Sequence, residues 1–171
     1  RLSQEVTLFP DSGSFDQVVN NYGTTAAGET NIPSGLCFAR KEIIQTVIGD
    51  PAPGAPKAMV ILSDGMTNNA IPITSGIPPK NPLFDPDALC GGFIPDKPIC
   101  IGPTTLLTSL SGRQALKQAD WLAQSGVVLH TIRFGKDQTS CEARAGIRLM
   151  EELADRTGGD HFIATSGSEL F

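Results

Sequence analysis

Two short stretches of the chain carry residue types that bind hard metal ions. In Gly28-Glu29-Thr30-Asn31 a threonine hydroxyl stands in a loop just before a predicted helix. In Ser63-Asp64-Gly65 a carboxylate follows the apolar run at residues 58–62. Hydroxyl and carboxylate oxygens are ligands that Mg²⁺ and Ca²⁺ prefer in proteins. The residue types therefore predict that Thr30 and Asp64 are ligands of a divalent cation, provided that the fold brings them together.

Segments with strand-like and helix-like patterns alternate along the chain and must position these two residues. The predicted strands are apolar or rich in β-branched residues and cover residues 2–9, 58–62, 127–134 and 161–164. The predicted helices have one apolar face and cover residues 34–48, 112–125 and 142–157, the first opened by Pro33. The run 58–62 has no polar residue, which is typical of a strand covered on both faces. The alternation predicts an α/β fold, a doubly wound and mostly parallel sheet with helices on both faces.

Charge and hydropathy exclude two kinds of partner. The chain has 171 residues, of which 13 are Lys or Arg and 18 are Asp or Glu, so its net charge is -5. Nucleic-acid binding depends on clustered basic residues, and so does a cationic helix on a membrane surface. No apolar run approaches the roughly 18 residues of a membrane span. With 40% hydrophobic residues, the chain is predicted to form one globular domain over residues 1–171.

The four cysteines are Cys37, Cys90, Cys100 and Cys141, and they allow three complete pairings. Cys90 and Cys100 bracket a short, turn-rich segment, so we expect a disulfide between them; zinc is a poor alternative because no His lies near. For Cys37 and Cys141 a second bridge and two buried thiols both stay open. A disulfide implies an exported protein, extracellular, on the cell surface or periplasmic, whereas free thiols would suit a cytosolic one.

Residues 68–105 form a Pro-rich insertion with little periodicity, directly after the predicted strand end at Asp64-Gly65. Loops of this length inside a compact domain are usually functional or disordered. Two interpretations stay open: a ligand-facing lid beside the top of the sheet, and a surface excursion.

The order of these motifs resembles that of the von Willebrand factor A (vWA) domain. Gly28-Glu29-Thr30-Asn31 resembles the family's Gly-x-Thr-Asn loop, and Ser63-Asp64-Gly65 resembles its Asp-Gly strand end. Residues 119–135 and 153–171 resemble its last elements, so the likeness covers most of the chain outside the insertion. The nearest subgroup in style is bacterial, of the cell-surface and pilus-assembly kind. The resemblance implies a Rossmann-like sheet with a cation at its top, Mg²⁺ or alternatively Mn²⁺ or Ca²⁺, bridging the domain to an acidic residue of another protein.

One element of the family pattern is missing. The Asp-x-Ser-x-Ser motif, whose serines bind the cation directly in the family, has no counterpart; Asp11-Ser12-Gly13-Ser14 has the wrong spacing and is interpreted as a turn. We therefore expect an N-terminally incomplete domain, whose sheet is completed by a missing N-terminal segment or by a second chain. Because Mg²⁺ needs about six oxygens, Thr30 and Asp64 predict weak cation binding, or none, by this chain alone.

The predicted function is recognition of a protein or a surface, in adhesion or assembly, without catalysis. One alternative is a metal-assisted hydrolase in which Asp64 is a metal ligand and Glu29 the general base. Another is a structural vWA scaffold with a vestigial metal site. No Gly-x-Ser-x-Gly elbow and no glycine-rich phosphate loop occurs, so no catalytic residue is assigned.

Overall fold

The computed structural model describes residues 30–45, 54–63, 66–71, 90, 94–96, 100–102 and 104–166. The helices in these ranges are α1 (Ile32–Gln45), α2 (Thr105–Thr108), α3 (Leu110–Gln124) and α4 (Cys141–Thr157). The strands are β1 (Lys57–Ser63), β2 (Asn69–Ala70), β3 (Ile94–Pro95), β4 (Val127–Phe134) and β5 (His161–Ala164). The predicted strands at 127–134 and 161–164 are confirmed, while the predicted strand at 2–9 lies outside the described residues. Within the described part, no helix combines the length and apolar character needed to cross a bilayer.

The three longer strands form a parallel sheet in the order β1, β4, β5. Ser63 pairs with Arg133 at one end of β1, and Thr131 pairs with His161 at the start of β5. Helices α2 and α3 lie between β1 and β4 in the chain, and α4 lies between β4 and β5. The chain is therefore a mixed α/β protein, and the carboxyl ends of its three parallel strands meet at one edge of the sheet.

Local signals set the helix ends. The Ser109 hydroxyl accepts a hydrogen bond from the amide of Gly112, and the Ser140 hydroxyl accepts one from the amide of Ala143, so α3 and α4 begin with N-caps. Helix α4 ends at Thr157 and is followed by Gly158, whose φ of 74° lies in the left-handed region that glycine adopts without strain. These signals explain why α3 and α4 match the predicted helices to within two residues.

The main core lies between one face of the sheet and helices α1, α3 and α4. The inward residues of β4 alternate with half-buried ones, as expected for a strand. The helices contribute mostly Leu, Ile, Ala and Met side chains that are 0–8% exposed. The buried members are Ile32, Leu36, Ala115, Leu116, Ala119, Leu122, Val127, Leu129, Leu149, Met150 and Leu153.

The opposite face of the sheet is apolar and exposed in the described structure. Val60 is 61% exposed, Leu62 47%, Phe134 39% and Phe162 54%. The strand register places these side chains on one face, opposite the core. The prediction that residues 58–62 are covered on both faces is thus not met within the described ranges, where the helices pack on one face only. We call Val60, Leu62, Phe134 and Phe162 the outward face.

The disulfide pairing differs from the expected one. Cys37 is bonded to Cys90 and Cys100 to Cys141, with Cα–Cα distances of 5.4 and 6.0 Å, so the local Cys90–Cys100 bridge and the Cys37–Cys141 bridge are both wrong. The observed pairing is set by contacts between residues that are distant in sequence. The antiparallel pairing of β2 with β3 and a hydrogen bond from the Ser34 hydroxyl to the Cys90 carbonyl place Cys90 against α1. Cys100 instead lies beside Cys141, the first residue of α4.

Candidate functional site

The loop before α1 is attached to the segment that follows β1. The backbone amide of Thr30 donates to Oδ1 of Asn68 at 2.9 Å, and the amide of Asn68 donates to the Thr30 carbonyl at 3.0 Å. The Thr67 hydroxyl donates to the same carbonyl at 3.3 Å. Because residues 66–68 come directly after the carboxyl end of β1, these bonds hold Thr30 at that edge of the sheet. We call this arrangement the Thr30–Asn68 clasp.

The same loop also starts the helix. Oδ1 of Asn31 accepts a hydrogen bond from the amide of Ser34 at 3.0 Å, as an N-cap residue does. Helix α1 therefore begins at Ile32, one residue before Pro33. Thr30 of the first motif is thus joined to Asn68, which follows the second motif in sequence.

Of the two predicted metal ligands, Thr30 and Asp64, only Thr30 lies in the described structure. Thr30 lies at the carboxyl end of the sheet, whereas Asp64, Glu29 and the turn at residues 11–14 lie outside the described residues. Among the residues that are described, no three His, Cys, Asp or Glu side chains come together as a metal-binding group. A single neutral hydroxyl does not fit a Mg²⁺ ion, which takes about six oxygens.

An arginine at the end of β4 was not anticipated. Arg133 is only 4% exposed, and its Nη1 donates to the carbonyl of Gly135 at 2.8 Å. A Cβ added to Gly135, whose φ is 143°, would lie 3.0 Å from that nitrogen, so the glycine leaves room for the guanidinium. Within the described structure Nε of Arg133 has no hydrogen-bond partner and no carboxylate forms an ion pair with the side chain. The inward alternation of β4, which includes Val127 and Leu129, is the signal that could have identified it.

The loop between β4 and α4 is organised by Asp137. Its Oδ1 accepts hydrogen bonds from the amides of Ser140 and Thr139, at 3.1 and 3.0 Å. The bonds from Ser140, followed by those from Thr139, hold the pKa of the Asp137 carboxyl well below its usual range. Asp137 therefore fixes the entry into α4, at the same edge of the sheet as the clasp.

A cavity of about 280 Å³ opens beside the clasp. Its walls come from the segment after β1, the Cys100 region, α2 and the first turns of α4. The described lining residues are Met66, Asn68, Cys100, Thr105, Leu106, Glu142 and Ala145. Glu142 lies in the first turn of α4 and borders this cavity.

The two histidines have structural surroundings. Nδ1 of His130 accepts a hydrogen bond from the amide of Asp160 at 3.1 Å. Nδ1 of His161 lies 2.8 Å from the Thr131 hydroxyl, which itself donates to the Met150 carbonyl, so His161 is the donor in that pair. Burial lowers the pKa of His161 from its ordinary value. Neither ring forms a nucleophile–base pair with a described side chain.

Comparisons of the chain with protein families, with curated proteins and with solved structures give no match.

Proposed function

We propose that this chain is a protein-recognition module of vWA-like type that binds its partner at the carboxyl end of the parallel sheet. The observation that carries the proposal is the Thr30–Asn68 clasp, which attaches the loop before α1 to the segment after β1. Ligands of open parallel sheets bind outside the carboxyl ends of the strands. The clasp and the adjacent cavity lie at that edge, and so does the loop organised by Asp137.

An acidic side chain of the partner is the ligand that the sequence motifs favour. Thr30 and Asp64 resemble two ligands of a cation that bridges to such a side chain. The described residues do not supply a full set of oxygen ligands for a divalent cation. Binding of Mg²⁺, Mn²⁺ or Ca²⁺ at this site therefore requires further oxygen ligands, from a partner or from outside the described ranges.

We also propose that the sheet is doubly wound in the assembled protein, with a further strand on β1 and helices over the outward face. The support is the exposure of Val60, Leu62, Phe134 and Phe162. In the described part β1 pairs with β4 along one edge only. Contiguous exposed apolar surface usually marks an interaction site, because leaving it in water is costly. Another polypeptide segment or a second chain would supply this cover.

An exported location is part of the same proposal. All four cysteines are in disulfides, and disulfides persist in extracellular and periplasmic compartments. Adhesion and assembly proteins of the cell surface work in that environment.

Selection from a random peptide library tests the recognition function. The immobilised protein is panned against the library once in excess Mg²⁺ and once in a chelator. The affinity of the selected peptides is then measured by calorimetry. We expect enriched peptides to share an Asp or Glu. We expect Thr30→Val and Asp64→Asn to weaken their binding at least about tenfold, the cost of one charge-assisted contact.

Thr30→Ser is the matched control because it keeps the hydroxyl, and it should bind like the wild type. If Thr30→Val and Asp64→Asn both bind the selected peptides unchanged, the carboxyl end of the sheet is not the recognition site. Equal binding with and without a chelator would remove the cation from the proposal while leaving the site in place.

A further inference from the structure

The described part of the cavity beside the clasp combines apolar walls with one charged residue. Met66, Leu106 and Ala145 provide the apolar surface, and Asn68 and Thr105 are neutral. Among the described lining residues, Glu142 is the one that carries a charge. A cavity of about 280 Å³ has the volume of a side-chain pocket, at the lower edge of the range for small-molecule sites.

Glu142 has no basic counterpart in the described structure. None of the described Lys, Arg or His side chains forms an ion pair with it, although Arg148 and Arg156 on the same helix both pair with other carboxylates. Its carboxylate therefore gives the mouth of the cavity a negative charge that is not neutralised within the described chain.

The rim of the cavity is suited to contact with a polypeptide. Ile101, next to the lining residue Cys100, is 88% exposed, and Met66 is 36% exposed. The Thr105 hydroxyl accepts hydrogen bonds from the amides of Ile101 and Gly102, both at 3.1 Å, so this turn is held in place. The Cys100–Cys141 disulfide attaches the same turn to α4. The apolar rim is thus presented on a fixed backbone.

These properties select one kind of occupant. Glu142 is exposed at the cavity. An acidic side chain would be repelled by it, and a purely apolar one would leave its charge without a counter-charge. A Lys or Arg side chain satisfies both surfaces, since its aliphatic stem packs against apolar walls while its charged end reaches a carboxylate.

We propose that this cavity receives a Lys or Arg side chain of the protein partner. That the basic group belongs to a protein rests on the proposed recognition function. That the cavity prefers a basic group rests on the cavity alone. Since Asn68 belongs to both the clasp and the cavity lining, the basic side chain binds next to the acidic one, and the partner presents the two close together.

Titration of ¹⁵N-labelled protein with N-acetyl-arginine N-methylamide, followed by NMR, tests the cavity without any partner. We expect shifts of the amides of Asn68, Leu106, Glu142 and Ala145. The citrulline analogue, which has the same shape without the charge, should bind at least about tenfold more weakly, and so should the arginine derivative to Glu142→Gln. The control is Glu151→Gln, a glutamate on the same helix that pairs with Arg148 and lies outside the cavity; it should bind like the wild type.

Equal binding of the arginine and citrulline derivatives, or an unchanged affinity in Glu142→Gln, would overturn the assignment. Shifts confined to other surfaces would overturn it as well. This titration can succeed or fail independently of the peptide selection. If the arginine derivative binds in the cavity while no selected peptide depends on Thr30 or Asp64, the cation-selective cavity is retained and the recognition function at the clasp is rejected.

Discussion

Thr30 and Asn68, which are 38 residues apart in sequence, are joined by two hydrogen bonds. The Thr30 amide donates to Oδ1 of Asn68 at 2.9 Å, and the Asn68 amide donates to the Thr30 carbonyl at 3.0 Å. The pair joins the loop before α1 to the segment after β1. This contact holds Thr30 at the carboxyl edge of the sheet.

Asn68→Ala should destabilise the protein by about 1–3 kcal/mol, because the part-buried Thr30 amide loses its acceptor. The measurement is urea unfolding monitored by circular dichroism. Asn68→Asp keeps an oxygen at the same position and serves as the control; it should retain most of the stability. Equal losses in the two variants would show that the hydrogen bond to Thr30 is not what matters at this position.

The two disulfides close loops of 53 and 41 residues, so each should stabilise the fold by about 4 kcal/mol in the chain-entropy account. Replacing Cys37 and Cys90 together by Ser, or Cys100 and Cys141 together, should lower the free energy of unfolding by that order. A peptide map under non-reducing conditions checks the pairing directly. A fragment linking Cys90 to Cys100 would contradict the structure.

Accessibility should also separate the two bridges. Cys37 and Cys90 are 1% and 3% exposed, whereas Cys100 and Cys141 are only partly buried. Under limiting dithiothreitol the Cys100–Cys141 bridge should therefore be reduced first, as measured by alkylation and mass spectrometry. Faster reduction of the Cys37–Cys90 bridge would mean that its surroundings open more readily than the structure indicates.

Arg133→Met should leave stability unchanged or raise it by about 1–2 kcal/mol, because it replaces a buried guanidinium that has no described carboxylate partner by an apolar side chain. Arg40→Met is the comparison. Arg40 is 7% exposed, its Nε donates to Gln118 at 2.9 Å, and its guanidinium lies 4.8 Å from the Trp121 ring centre. Thermal unfolding should show that Arg40→Met lowers the stability of the protein. A larger loss of stability in Arg133→Met would reveal a counter-charge for Arg133.

Asp137 should make stability depend on acid pH. Its pKa is lower in the folded protein than the ordinary value of 3.8, so its contribution is present above about pH 4 and is lost as pH falls through the depressed pKa. Asp137→Asn should therefore be less stable than the wild type at neutral pH, and the difference should shrink as the pH falls below about 4. Urea unfolding at several pH values checks this. A difference that does not change with pH would mean that charge on Asp137 plays no part.

Much of the fold could be predicted because its signals are local. Strand β4 has a β-branched run ended by Gly135, and α4 has an apolar face ended by Gly158. Thr30 could be placed at the edge of the sheet by the same reasoning, since it precedes a helix and Asp64 follows a strand. These inferences need only neighbours in sequence.

The features that were missed depend on contacts between distant residues. The partner of Cys90 is decided by the pairing of β2 with β3, each two residues long, which leaves almost no periodic signal. The burial of Arg133 follows from which face of β4 the helices cover. Glu142 borders a cavity only because Cys100 and Leu106 pack beside the start of α4.

The most direct test of the central claim is to map where a selected acidic peptide binds, by NMR on the ¹⁵N-labelled protein. The account predicts that the amide shifts concentrate on Thr30, Thr67 and Asn68, and that Thr30→Val abolishes them while Thr30→Ser does not. Shifts concentrated instead at the opposite ends of the strands, around Lys57 and Val127, with the residues of the clasp unaffected, would contradict it.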